Sequence, residues 1–210
     1  MRSLLFNQAF RAVVTKRLAN SATALLALAL PAQALAQCPT ADDLARGILF
    51  TGAEGETELF TSGDGDTILA RFRSPEGLES DAVLARGVYL MDLVSQPGAP
   101  DETRSLYAFP LLTRELPLPT PGGSFEIAAE VSVGDHAATE LQSYSFGPAG
   151  EARYGDCAYE VIPVEITYST LQGTVETYHY LPALGISYFA AVSSEMGDHT
   201  YPYIRIEALP

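Results

Sequence analysis

The chain has little cysteine, little histidine and few cations, and residues 37–210 contain no lysine, asparagine or tryptophan. Two cysteines are too few for a disulfide-dense mini-protein or a four-cysteine zinc site. Without a lysine, residues 37–210 can form neither a lysine-based covalent intermediate nor a Walker-type phosphate loop. These absences exclude several of the common catalytic classes.

Cations are scarce relative to acids. The 210 residues carry 12 Lys+Arg against 26 Asp+Glu, a formal charge of −14, while 47% of residues are hydrophobic. Nucleic-acid binding needs clustered cations that displace counterions from phosphates, so we expect no nucleic-acid partner. The hydrophobic content is that of a globular protein.

Residues 1–36 have the three parts of a secretory signal. A basic stretch without acids is followed by the short apolar run 24–30 and by Ala34-Leu35-Ala36, a small-x-small cleavage site. We predict cleavage after Ala36, one β domain over residues 37–210, and a location in the periplasm or outside the cell. Removing four of the 12 cations leaves eight against 26 acids, a charge of −18. No apolar run approaches the roughly 20 residues of a membrane span, so we expect no transmembrane segment.

Both cysteines, Cys38 and Cys157, remain after this cleavage. In an oxidising compartment two cysteines usually pair, so we predict a Cys38–Cys157 disulfide that pins the new N-terminus to the C-terminal half. Leu35-Ala36-Gln37-Cys38 also resembles a lipobox. Lipidation of Cys38 is therefore an alternative, although Gln37 is larger than a lipobox allows.

Period-two patterns dominate the rest of the chain. Short runs rich in β-branched and aromatic residues are separated by Gly/Asp or Pro clusters typical of hairpin turns. We predict an all-β, mainly antiparallel fold, a half-barrel, barrel or sandwich of about eleven strands, with one short helix between Thr40 and Gly47. The expected strands are 47–51, 57–61, 67–73, 84–94, 104–109, 124–133, 137–146, 158–169, 174–181, 185–192 and 200–208.

Two strands show the alternation clearly. In 158–168, Ile162, Val164 and Ile166 share the face expected to be buried. In 200–208, the face expected to be buried contains Ile204 and Ile206, with Tyr203 on the opposite face.

Three histidines are the candidates for metal or acid–base chemistry. His136 and His199 each follow Gly-Asp, and two such segments could supply imidazoles and carboxylates to a metal. Both fall where turns are expected, and turn residues are selected for backbone tolerance. His179 lies between two tyrosines on a strand, and no Gly-x-Ser-x-Gly elbow accompanies it. We therefore expect no catalytic residue, no metal and no cofactor, with a hydrolase or metal-dependent enzyme using these histidines as the alternative.

Carboxylates are too numerous for the sequence to select a catalytic pair. Asp64-Gly65-Asp66 lacks the remaining ligands of a calcium loop and predicts a tight turn.

Tyrosines are concentrated late in the chain, where nine of the 11 lie from Tyr144 onward. Two interpretations are open: the tyrosines line a groove for an apolar ligand, or they serve ordinary packing between strands. For the groove, the candidate ligand-binding residues are Tyr168, Tyr178, Tyr180, Tyr188 and His179.

A strand, a turn and a second strand are expected across residues 157–168, 173–177 and 178–188, and the last of these segments reads Tyr-His-Tyr-Leu-Pro-Ala-Leu-Gly-Ile-Ser-Tyr. Together they resemble the half-barrel of the outer-membrane lipoprotein carrier family. That resemblance implies a concave sheet that holds acyl chains. The Cys38-Pro39 start and the segment 44–50 also resemble exported proteins of alphaproteobacteria, which implies no activity.

These observations favour an exported, envelope-associated, non-catalytic binding module whose ligand is an apolar small molecule, a lipid or a glycan. A structural or assembly protein that pairs through its edge strands is a further alternative.

Overall fold

The computed structural model of the protein describes residues 37–210. The predicted signal segment and its cleavage after Ala36 lie outside these residues. Two 3₁₀ helices span Ala41–Ala45 and Thr113–Glu115. The strands are β1 (Ile48–Gly52), β2 (Thr57–Ser62), β3 (Thr67–Arg73), β4 (Glu79–Ala85), β5 (Tyr89–Ser95), β6 (Thr103–Ala108), β7 (Ser124–Val133), β8 (His136–Phe146), β9 (Gly150–Tyr154), β10 (Cys157–Tyr168), β11 (Val175–Leu181), β12 (Ile186–Ser194), β13 (Gly197–Thr200) and β14 (Tyr203–Ala208).

All these strands form one antiparallel sheet. Its order is β13-β12-β11-β10-β8-β7-β6-β5-β4-β3-β2-β1-β14, and β9 pairs with β10 beside this path. The prediction of an all-β, mainly antiparallel fold is confirmed. The sheet is open, so the closed barrel, one of the three architectures expected, is wrong, and about eleven strands was too low a number.

The extra strands have simple causes. The run 84–94 contains a tight turn in which Arg86 and Gly87 take positive φ values of 53° and 70°, so it spans the end of β4 and all but the last residue of β5. The turn is short enough that the hydrophobic pattern continues across it. The remaining two strands, β9 and β13, are four or five residues long and mostly polar, which gives them no period-two signal.

The sheet curls until its two edges come together. The edge strands β13 and β14 are separated only by Tyr201 and Pro202, and the Tyr201 amide donates to the carbonyl of Ala190 on β12 (2.8 Å). No ladder joins β13 to β14 within the described residues. The inner face therefore encloses an interior without the sheet closing.

Two hydrophobic clusters fill parts of this interior. The first joins β1 and β2 to β9, β12 and β14, and is built around Phe50, whose ring lies 5.4–5.6 Å from those of Phe60, Tyr154, Tyr188 and Tyr203. The second is centred on Tyr89, whose ring lies 4.9 Å from that of Tyr144 and whose hydroxyl donates to the Pro117 carbonyl (2.7 Å). Burial of these aromatic side chains, together with the aliphatic residues around them, stabilises the sheet folded back on itself.

The turn between β4 and β5 rests directly on the turn before β12. A Cβ placed on Gly87 would lie 2.1 Å from the Gly185 carbonyl oxygen, so this contact needs glycine at position 87. Ser187 Oγ donates to the Gly87 carbonyl (2.6 Å). These contacts fix β4 and β5 opposite β11 and β12 across the interior.

A β-bulge reverses the expected orientation at the start of β14. Thr51 pairs with Arg205 and Gly52 with Tyr203, so Ile204 is an extra residue. Tyr203 therefore turns inward and is 7% exposed, whereas Ile204 is 54% exposed. The prediction for these two residues was wrong, while the alternation predicted in β10, with Ile162, Val164 and Ile166 buried, is confirmed.

The N-terminal segment is tied to β10. Cys38 and Cys157 form the predicted disulfide, with their Cα atoms 5.5 Å apart. Nearby, the Tyr159 hydroxyl donates to the Pro39 carbonyl (2.7 Å). The predicted short helix is the 3₁₀ helix Ala41–Ala45, where the Asp43 carboxylate accepts the Thr40 backbone N–H (2.8 Å). Here the Cys38 sulfur that lipidation would need is bonded to Cys157.

Candidate functional site

A cleft of about 330 Å³ lies between the inner faces of β2–β5 and of β11–β14. Its walls combine aliphatic side chains, aromatic rings and two carboxyl groups. The lining residues are Glu58, Ala70, Phe72, Ser80, Ala82, Leu84, Leu90, Leu93, Glu176, Tyr178, Ser187, Phe189, Tyr201 and Tyr203.

A smaller cavity of about 140 Å³ continues this cleft toward β8 and β10. The two spaces have walls in common, formed by Leu84, Leu90, Leu93, Glu176 and Tyr178. We call the two together the interior cleft. A concave, mostly apolar space with a few convergent polar groups is the usual form of a small-molecule site.

Two larger depressions have charged side chains that already have partners. One, of about 420 Å³, has Arg71 and Asp81 in its wall, and these side chains form an ion pair (2.7 Å). The other, of about 500 Å³, lies beside the C-terminus and includes the paired side chains of Asp43 and Arg46. Neither offers convergent unpaired polar groups, so the interior cleft is the better candidate.

Glu58 is the first carboxyl group of the cleft. It lies on β2 two residues before the fully buried Phe60, and strand alternation directs both side chains inward. The residue is 8% exposed, and its Oε2 accepts a hydrogen bond from the Tyr203 hydroxyl (2.8 Å). Burial raises the pKa of Glu58 to about 8, and the Tyr203 hydrogen bond only partly opposes this. Oε1 has no hydrogen-bond partner among residues 37–210 and, since no fully buried side-chain oxygen there lacks one, this atom is accessible.

Glu176 is the second carboxyl group and lies on β11. Its Oε2 accepts hydrogen bonds from the hydroxyls of Tyr168 (2.6 Å) and Tyr178 (3.1 Å). Burial, reinforced by the nearby carboxylate, raises the pKa values of both tyrosines, so they remain donors at neutral pH. Glu58 also contributes to the raised pKa of Tyr178, which places Tyr178 within electrostatic reach of both carboxyl groups.

A third acid, Glu140, borders the smaller cavity. It is 6% exposed and accepts hydrogen bonds from Gln142 Nε2 (2.9 Å) and from the Thr170 hydroxyl. Gln142 in turn accepts from the Tyr144 hydroxyl (2.6 Å). This chain of bonds satisfies Glu140 within the protein.

None of these three acids is paired with a cation of residues 37–210. The salt bridges among these residues all involve arginines that are more than half exposed: Arg46–Asp43, Arg71–Asp81, Arg73–Glu79, Arg104–Asp92, Arg153–Glu151 and Arg205–Glu207. The interior cleft therefore has an acidic character that the described part of the chain does not neutralise.

The structure separates the candidate residues chosen from sequence into two groups. Tyr168 and Tyr178 meet at Glu176 in the cleft, and Tyr180 lies on the same face of β11 but is packed in the second cluster at 4% exposure. His179 and Tyr188 lie on the opposite face of the β11–β12 hairpin, where His179 Nδ1 and the Tyr188 hydroxyl are 2.8 Å apart.

His179 has the surroundings of a packed strand residue. Burial lowers its pKa, so the ring is neutral at neutral pH. Its hydrogen-bond partner Tyr188 also bonds to Tyr154 (2.9 Å), and no serine or cysteine nucleophile is bonded to the ring among residues 37–210.

The two Gly-Asp-His segments belong to different hairpins. His136 begins β8 after the β7–β8 turn, and His199 lies on β13; β10 and β11 separate the two hairpins in the sheet. Both histidines are exposed. Within residues 37–210 no three His, Cys, Asp or Glu side chains are grouped so that they could hold a metal ion. The expected turn at Asp64-Gly65-Asp66 is present, with Gly65 at φ 61°.

Sequence reasoning missed Glu58 and Glu176. Each occupies a strand position with the same parity as buried aromatic residues: Glu58 with Phe60, and Glu176 with Tyr178 and Tyr180. An acid on the apolar face of a strand was the available signal, and it is rare because burying a carboxyl group costs free energy.

No family model, no curated protein and no solved structure matches this chain. Residues 37–210 contain no helix long and apolar enough to cross a membrane.

Proposed function

We propose that the protein is exported and binds an apolar small molecule in the interior cleft, without catalysing a reaction. The observation that carries this proposal is the cleft itself: an aromatic-lined and aliphatic-lined space between opposed faces of one sheet. The resemblance of residues 157–188 to lipoprotein carriers adds support, since those carriers hold acyl chains against a concave sheet.

Export rests on separate support. The basic, apolar and small-x-small parts of residues 1–36 match a secretory signal, and the Cys38–Cys157 disulfide suits an oxidising compartment. Recovery of the mature chain, starting at Gln37, from the periplasm or medium of an expressing bacterium tests this part by N-terminal sequencing. Recovery of the uncleaved chain from the cytosol overturns it.

Ligand binding is tested with an uncharged apolar dye, N-phenyl-1-naphthylamine, whose fluorescence rises in apolar surroundings. We expect saturable binding by the wild-type protein and its loss in Ala82→Phe, since Ala82 lines the cleft and the added ring fills it. Val83→Phe is the matched control. Val83 is the next residue on β4 and lines the depression of about 420 Å³ beside Arg71 and Asp81.

Native mass spectrometry of the purified protein gives an independent readout. A co-purifying mass that is absent from Ala82→Phe supports the proposal. Binding of the dye to wild type and Ala82→Phe alike, or to neither, overturns it.

A further inference from the structure

Burying a carboxyl group in an apolar cleft costs free energy, and two carboxyl groups line the interior cleft. Glu58 and Glu176 both line the cleft, and each is held by tyrosine hydroxyls that donate to a single oxygen, Oε2. No hydrogen bond from residues 37–210 reaches the other oxygen of either group, and since no fully buried side-chain oxygen there lacks a partner, that oxygen is accessible. Burying a carboxyl group without a cation is unfavourable, and such groups occur preferentially where a ligand is to be bound.

The aromatic side chains of the cleft are placed around these carboxyl groups. The Tyr178 ring lies 5.2 Å from that of Phe189, which lies 5.1 Å from that of Tyr201. Phe72 and Tyr203 complete the aromatic lining. Ring faces attract cations electrostatically, so this aromatic lining adds to the attraction of the two carboxyl groups for a positive charge.

The hydrogen-bonding groups of the cleft favour a ligand that donates hydrogen bonds. Each tyrosine hydroxyl that bonds to Glu58 or Glu176 has used its proton, and an ionised carboxylate, which Glu58 becomes above its pKa of about 8, can only accept. No lysine or arginine lines the cleft. A ligand that fits must therefore supply hydrogen-bond donors and positive charge at one end. A primary ammonium group supplies three donors and one charge, whereas a carboxylate or phosphate ligand would meet like charge.

We infer that the interior cleft binds a primary alkylammonium compound, its ammonium group hydrogen-bonded to the free oxygens of Glu58 and Glu176 and its apolar chain lying against Leu84, Leu90 and Leu93. This inference rests on the proposed function, because it names the ligand class of the same cleft. It differs from a simple apolar site in requiring a charge at one end of the ligand.

The test compares four ligands with the same eight-carbon chain: n-octylammonium, n-octanol, octanoate and n-octyltrimethylammonium. Their affinities for the purified protein are measured by calorimetry at moderate salt and about pH 9, where Glu58 is ionised and a primary ammonium group still keeps its proton. We expect n-octylammonium to bind about tenfold or more tightly than n-octanol, and octanoate to bind most weakly. The trimethyl compound, which has no N–H donor, is expected to bind more weakly than the primary ammonium.

Variants assign the effect to the two acids. Glu58→Gln and Glu176→Gln should each weaken n-octylammonium binding about tenfold while changing n-octanol binding by less than about twofold. Glu165→Gln is the matched control, since Glu165 is an exposed acid on β10, and it should change neither affinity. Circular dichroism establishes that each variant is folded, and if either cleft variant fails to fold, the other carries the comparison.

The outcomes separate the two proposals. Equal binding of n-octanol and n-octylammonium overturns the ammonium inference and leaves the apolar cleft standing. Binding of none of the four compounds overturns both. Equal binding of the primary and trimethyl ammonium compounds, unaffected by the two variants, overturns the assignment to carboxylate hydrogen bonds.

Discussion

On one face of the β11–β12 hairpin, Tyr188 touches the rings of Phe50, Tyr154, His179 and Tyr203. On the other face, Tyr178 and Phe189 border the interior cleft. We call these the packed face and the cleft face. Both are covered by protein and both are rich in tyrosine, so composition does not distinguish them. They differ in what lies opposite: interlocking rings and a depression of about 330 Å³ without carboxyl groups on the packed face, and a space with two carboxyl groups on the cleft face.

The comparison shows that three consecutive residues of one strand can have unrelated roles. Tyr178 bonds to Glu176 in the cleft, His179 packs against Tyr188 behind it, and Tyr180 closes the second cluster. Alternation along a strand sets which face each residue joins, and the neighbouring strands decide whether that face is filled.

The largest difference is expected from removing one tyrosine ring on each face. Tyr188→Ala should lower the free energy of unfolding by about 3–5 kcal/mol, because the side chain is 4% exposed and its loss leaves a cavity among four rings. Tyr178→Ala should cost about half as much, since its ring already borders open space. Urea unfolding followed by circular dichroism measures both, and equal losses would contradict the distinction between the faces.

The second effect concerns pH and belongs to the cleft face. Because the pKa of Glu58 is raised from 4.5 to about 8 in the folded protein, its contribution to stability is fully present below about pH 4.5 and is lost as the pH rises through about 8. We expect this loss to be on the order of 2–4 kcal/mol.

Glu58→Gln isolates that contribution, because the groups around Glu58 remain. Tyr203, Tyr178 and Tyr188 have raised pKa values and keep their protons in this range, and Glu176 and Glu56 are unchanged in the variant. Unfolding free energies measured between pH 5 and pH 9 should fall less steeply for Glu58→Gln than for wild type. Parallel curves would show that Glu58 does not titrate in this way; Glu165→Gln should match wild type.

The third effect compares the room in the cleft with that at a filled core position. Ala85 is 0% exposed in the second cluster, whereas Ala82 lines the cleft. Ala85→Leu should destabilise the protein by about 1–3 kcal/mol through overpacking, and Ala82→Leu should change stability by less than about 0.5 kcal/mol. Thermal unfolding of the two variants provides the measurement, and a large loss in Ala82→Leu would mean that the cleft has no room for added methyl groups.

The smallest expected effect concerns single hydroxyl groups. Tyr154→Phe removes the buried bond to Tyr188 and should cost about 1 kcal/mol. Tyr168→Phe removes one of two donors to Glu176, which borders the cleft and keeps the Tyr178 donor, and should cost about 0.5 kcal/mol. Chemical denaturation at neutral pH measures the loss of unfolding free energy in both variants. A larger loss in Tyr168→Phe than in Tyr154→Phe would contradict this expectation.

Much of the sheet was predictable from sequence because its signals are local. The alternation in β10, the Gly/Asp turns and the Cys38–Cys157 pairing each follow from a few neighbouring residues or from cysteine number alone. The short polar strands β9 and β13 carry no such signal, since their pairing with β10 and β12 supplies the stability that their own residues lack.

The site was less predictable because it depends on contacts between distant strands. Tyr168 and Tyr178 were chosen as tyrosines, but Glu176 and Glu58 acquire their roles from opposed faces of the sheet. Tyr203 reaches Glu58 because the bulge at Ile204 turns it inward, and an unpaired residue in a bulge is not visible in the period-two pattern of β14.

The pairing of β1 with β14 has a consequence for the order of assembly. Ribosomes deliver the chain from its N-terminus, so most strands find a hydrogen-bonding neighbour soon after they emerge. The strand β1 can complete its second ladder only when the last residues have been made, since Ile48 pairs with Ala208. That pairing spans nearly the whole described chain, and its loop-closure entropy makes it a late event in folding. Until then the first hydrophobic cluster, around Phe50, lacks the residues that β14 contributes. Truncation of β14 would leave that cluster incomplete.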